Sequence, residues 1–150
     1  NIALGPDGGP STVEMHIKKN DGHNRVANDN GEFKTVSGKD IKRNEGYARV
    51  SIDQRTLDSY GFEEVDIIKI DTEGYELEIV KGLNDHCERV SLIIAEVSVR
   101  KRFVESYGFH ELVNALWDRG FSFYTVVSPP NSKPFHHDML FLPITNPMLQ

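Results

Sequence analysis

Residues 65–82, VDIIKIDTEGYELEIVKG, constrain the fold more than any other stretch of this chain. The run 66–70 is short and rich in isoleucine, the pattern of a strand covered on both faces. Asp71 follows at its carboxyl end. The spacing then predicts a helix over 73–81, with Glu73 and Glu76 in its first turn and a stop at Gly82. Open α/β sheets bind small molecules beyond the carboxyl ends of their strands. Three carboxylates, Asp71, Glu73 and Glu76, are therefore expected where such a fold does its chemistry.

The flanking patterns extend this unit in both directions. Residues 11–17 alternate, with Val13, Met15 and Ile17 on one side, and 47–52 (YARVSI) alternate again, so both read as strands. A short helix or turn is expected at 56–61. A strand over 91–97 (SLIIAEV) follows the central helix. Leu112, Val113, Leu116 and Trp117 recur at helical spacing and predict a helix over 110–119, ended by Gly120. Strands are expected at 121–127 and 138–142. The segment between those two holds SPPNSKP and no helical pattern. A parallel crossover usually needs a helix, so this last pair is expected to be antiparallel. Alternating strands and helices argue for one α/β domain spanning 1–150, with a mainly parallel sheet closed by an antiparallel strand. Residues 18–45 are polar and carry few apolar anchors, the composition of a long exposed loop with a short hairpin near 33–36.

Composition narrows the function classes. With 23 acidic and 17 basic residues the net charge is -6, which disfavours a dedicated nucleic-acid binder with a basic face. The short basic runs at 18–19, 39–43 and 100–102 read as solvated charge. No stretch approaches the roughly 18 apolar residues of a membrane span, so no membrane partner is expected. Cys87 is the only cysteine, which rules out an intrachain disulfide or a cysteine zinc cluster and fits a cytoplasmic location. His136 and His137 are adjacent on an extended segment and point to opposite faces, so no metal site is expected. A hydrolase has no support either, because no strand–Gly-x-Ser-x-Gly–helix elbow is present.

Taken as a block, IKIDTEGYELEIVKG, the downstream IIAEV strand and the closing MLFLP strand resemble the FkbM-type methyltransferases. Lys69, Asp71, Glu73, Gly74, Glu76, Lys81 and Gly82 carry the likeness in the central motif. Residues 1–5 (NIALG) look like the end of that family's third strand, and 55–58 (RTLD) resemble its Thr-Leu-Asp element. The resemblance implies a class I, Rossmann-like methyltransferase sheet and transfer of a methyl group from S-adenosylmethionine to a hydroxyl of a sugar or small natural product. It places Asp71, Glu73 and Glu96 on the catalytic side, and Asn1, Ala3 and Asp71 beside the cofactor. The partner it implies is a small hydroxylated acceptor.

The chain departs from the family at one point. Gly5, Gly8 and Gly9 do not join a strand to a helix, so they fail the context of a nucleotide-binding turn. The expectation is a domain that starts after its second strand, the carboxyl-terminal portion of the family's domain. A truncated or degenerate methyltransferase domain acting as a non-catalytic binding module is the alternative. Lys69, charged within an apolar strand, is expected to pair with an acidic neighbour, and Glu76 to lie at the surface as a helix-dipole residue.

Overall fold

The computed structural model describes residues 2–9, 11–18, 25–26, 47–84, 89–101, 106–127 and 135–149. The hairpin expected near 33–36 and the candidate Asn1 lie outside them. In place of one mainly parallel sheet, the described residues form two four-stranded mixed sheets.

The first sheet grows from the two alternating segments. Strands β2 (Thr12–Lys18) and β4 (Tyr47–Arg55) pair antiparallel, with Val13 opposite Ile52 and Met15 opposite Val50. Strand β1 (Ile2–Leu4) adds parallel to β4, with Ala3 opposite Gln54, and β3 (Arg25–Val26) adds to the far side of β2. The order is β1-β4-β2-β3. Its apolar cluster is small: Ala3, Val13 and Ile52, with Met15 partly buried.

The second sheet has the order β5-β6-β8-β7. Strands β5 (Ile67–Ile70) and β6 (Leu92–Ser98) are parallel, and β6 pairs antiparallel with β8 (His136–Pro143). Strand β7 (Phe121–Val126) completes the expected antiparallel pair with β8, with a bulge at Tyr124. Ile68, Ile70, Ile93, Ala95, Val97, Met139 and Phe141 are buried together on one face. Helices α1 (Glu76–Lys81) and α2 (Phe109–Asp118) contribute Ile79, Val80, Leu112 and Leu116 to the same core. Each such side chain is worth about 1.5–3 kcal/mol of burial.

Local chemistry sets where the helices begin and end. In α2 the Glu111 carboxylate accepts the Gly108 N–H at 2.5 Å. This bond, ahead of smaller effects from nearby charges, holds its pKa below the usual carboxylate value. Gly120, at φ 84°, turns the chain from α2 into β7. Helix α1 begins three residues later than the sequence spacing predicts. Glu73 (φ 56°) and Gly74 (φ 113°) are left-handed, so residues 72–75 form a turn ahead of the helix. Arg119 closes the other end of α1, donating to the carbonyls of Leu83 (2.5 Å) and Lys81 (2.7 Å).

The two sheets meet where α1 ends. A Cβ on Gly82 would lie 2.0 Å from the Gly5 carbonyl oxygen, so the close approach requires glycine. Nearby, the buried Gln54 donates through Nε2 to the Tyr75 hydroxyl at 2.7 Å, and Leu4 packs against the larger core.

Candidate functional site

Parallel pairing sets Ile70 beside Ala95. The residues that follow them, Asp71 just past the end of β5 and Glu96 two residues before the end of β6, are therefore neighbours. Ile68, Ile70, Ile93, Ala95 and Val97 fill the core face, so period-two alternation puts Lys69, Asp71, Ile94 and Glu96 on the other face. Register brings a fourth charged residue to this face. Asp138 of β8 lies opposite Glu96, as Leu140 lies opposite Ile94.

Lys69 organises the group. Its ammonium bonds the Asp138 carboxylate across the width of β6 and sits 3.7 Å from Asp71 Oδ2. The expected ion pair is thus present, and it is shared between two carboxylates. All three side chains are 38–53% exposed, so the pairs add little to stability. Their consequence is geometric: one cation fixes two carboxylates on an open face, next to Glu96.

The loop after β5 is built differently from the sequence expectation. Glu76 is 1% exposed and is not a surface residue. Its Oε1 accepts the Thr72 N–H (3.0 Å), the Thr72 hydroxyl (3.2 Å) and the Gly74 N–H (3.0 Å). The left-handed turn at Glu73 and Gly74 folds the chain back over the first turn of α1, and this covers the side chain. Glu73 itself is half-buried in that turn, outside the helix.

Tyr107, 5% exposed, reaches the same carboxylate. Burial first, then the Glu76 charge and hydrogen bond, push its phenol well above the ordinary value of 10.0. The hydroxyl donates to the Glu96 carbonyl oxygen at 3.3 Å. Phe103, the other aromatic near this strand end, lies outside the described residues.

The other sequence candidates separate from this cluster. Ala3 is buried against Val13 and Ile52 in the first sheet. His136 and His137 open β8 opposite Ser98 and Val97. Asp138 carries no signal in the sequence, since cross-strand register is a long-range fact. Tyr107 stands in the aromatic stretch 103–110 after Glu96, which reads as packing against the 112–117 helix or as part of an acceptor wall; it is buried in the core with Leu112 and Leu116. Among the described residues, no helix is long and apolar enough to cross a membrane.

A parallel strand pair joined through a short helix, with carboxylates near the strands' carboxyl ends, defines a mixed α/β fold. The methyltransferase FkbM domain matches residues 1–123, and the chain belongs to that family. It is a methyltransferase, and its chemistry implies a methyl donor. No curated protein and no solved structure matches the chain.

Proposed function

We propose that this chain carries the acceptor side of an S-adenosylmethionine-dependent O-methyltransferase, acting on a hydroxyl of a sugar or small natural product within a class I sheet. The observation that carries the reading is the placement of Asp71 and Glu96 beside each other near the carboxyl ends of neighbouring parallel strands, on the face away from the core, with Lys69 bridging Asp71 to Asp138. S-adenosylmethionine supplies an electrophilic methyl group. The described residues do not form a cradle for its adenosyl part. Ala3 is spent on packing, and the space beside Gly5 is filled by Gln54, whose Nε2 lies 1.8 Å from where a Cβ would sit. Of the expected cofactor contacts among the described residues, Asp71 is the one open to solvent.

The chain's own residues have clear tasks on the acceptor side. An acceptor hydroxyl donates to the Asp71 carboxylate, which orients the oxygen. Asp71 takes the proton as that oxygen gains its new bond to carbon. Lys69 keeps the carboxylate aimed by holding Oδ2 from one side. Glu96 and Glu73 offer further acceptors for neighbouring hydroxyls, a pattern suited to a polyol.

Methyl transfer from labelled S-adenosylmethionine to a panel of sugars and hydroxylated natural products tests the reading. Transfer is expected in the wild type, with a loss of about 100-fold or more in Asp71→Asn. Absence of both transfer and cofactor binding would overturn it. A second reading, a non-catalytic binding module, rests on the glycines at 5–9 leading into strand β2 where a nucleotide turn leads into a helix. Calorimetric titration with S-adenosylmethionine separates the two, since the module reading requires no heat of binding from a folded protein.

A further inference from the structure

We infer that Glu76 and Tyr107 are a positioning pair that holds the 71–74 loop at a fixed offset from the carboxyl end of β6. The pair deepens the acceptor-side reading and rests on it for its effect on turnover.

The argument starts from where the donors to Glu76 lie. A buried carboxylate is tolerated when several hydrogen bonds satisfy it. Glu76 takes backbone donors from either side of Glu73: the Thr72 amide before it and the Gly74 amide after it. Glu73 occupies a left-handed conformation that L-residues rarely adopt, and such conformations persist where the surroundings over-determine them. Glu76 is the over-determining group. By gripping both flanking residues it fixes the backbone of the segment that carries Asp71 and Glu73.

Tyr107 extends the grip to the second strand. Its hydroxyl donates to the Glu96 carbonyl oxygen at 3.3 Å, and it lies close enough to the Glu76 carboxylate for that charge to push its pKa up. One buried phenol therefore ties the β5 loop to the end of β6, where Glu96 sits. The β5–β6 ladder sets Ile70 beside Ala95, and the tie carries that alignment past the last residue of β5, to the loop that holds Asp71. A helix-start role alone needs no contact with β6.

Two variants test the pair in the protein. Tyr107→Phe deletes one oxygen and keeps the ring in its pocket. Glu76→Gln keeps the shape and replaces one acceptor oxygen by a donor. Amide hydrogen exchange at Thr72 and Gly74 is expected to accelerate about tenfold or more in Glu76→Gln, with Ile93 in β6 unchanged. Per folded molecule, kcat is expected to fall about tenfold or more in both variants, with KM changed less than about threefold. Unchanged exchange at Thr72 and Gly74 in Glu76→Gln overturns the inference. So do variants that turn over at the wild-type rate, and that outcome leaves the acceptor-side reading standing. A wild type that transfers no methyl group overturns the acceptor-side reading, and the exchange result then decides the positioning pair by itself.

Discussion

A carboxylate with several hydrogen-bond donors and a carboxylate in open solvent look alike in a sequence. Asp71 and Glu96 stand out in the sequence because Asp71 follows an apolar run and Glu96 interrupts one near its end. Glu76 was not, because its burial depends on a left-handed turn three residues earlier. Gly74 hinted at that turn, since glycine is costly inside a first helical turn. Tyr107 lay in a stretch with other aromatics and had no mark of its own. Its raised pKa makes a residue-scale prediction. The neutral phenol is the form that fits the fold, so its contribution is fully present below about pH 10 and is lost as pH climbs from there toward the folded value. Tyr107→Phe should cost about 1 kcal/mol near pH 8, where the hydroxyl's bonds count. The gap to wild type should narrow above about pH 10, as ionisation erodes the wild type alone. Urea unfolding midpoints across that range measure it, and a gap that stays constant would show that the phenol is not confined. Lys69→Met makes the converse case. The exposed pairs contribute little, so stability should change by less than about 1 kcal/mol, while turnover drops because Asp71 loses the cation that aims it.

At the scale of elements, helix periods were legible and helix starts were not. The expected span 110–119 became Phe109–Asp118, because Leu112 and Leu116 fix the buried stripe whatever the cap. The expected span 73–81 became Glu76–Lys81, because positive φ at Glu73 and Gly74 excludes them from a helix. Glycine at position 82 signalled a helix end correctly, but its tighter constraint comes from the other sheet. Gly82→Ala places a methyl group against the Gly5 carbonyl, and two backbone segments must separate. A loss of about 1–3 kcal/mol is expected from such overpacking. Arg119→Ala removes the donors to the Lys81 carbonyl, the last of α1, and to the Leu83 carbonyl just beyond it, and should cost about 1–3 kcal/mol. Chemical denaturation gives both values. An Arg119→Ala protein as stable as wild type would mean that water replaces the guanidinium at that helix end.

For the whole molecule, the strands themselves were readable but their partners were not. Residues 11–17 and 47–52 both read as strands, yet nothing local says that they pair with each other in a separate sheet. The antiparallel closing pair was inferable, because a helix-free connection of that length limits the choices. Among the described residues the second sheet ends in two unpaired edges, β5 and β7, and the two are protected unequally. β5 is four residues long and carries Lys69, both of which discourage edge-to-edge pairing. β7 has no charged residue and exposes Phe123, Tyr124 and Val126. Its bulge at Tyr124 interrupts the ladder, but Val126 lies beyond the bulge. Self-association should therefore start from the β7 edge. Val126→Lys is expected to slow aggregation on mild heating by severalfold while leaving the unfolding midpoint within about 0.5 kcal/mol, as for other surface changes. Ile67→Lys, on the edge that already holds a lysine, should slow it less. Light scattering at matched protein concentration ranks the three proteins. A ranking with Ile67→Lys ahead of Val126→Lys would place the vulnerable edge at β5, beside the acidic face.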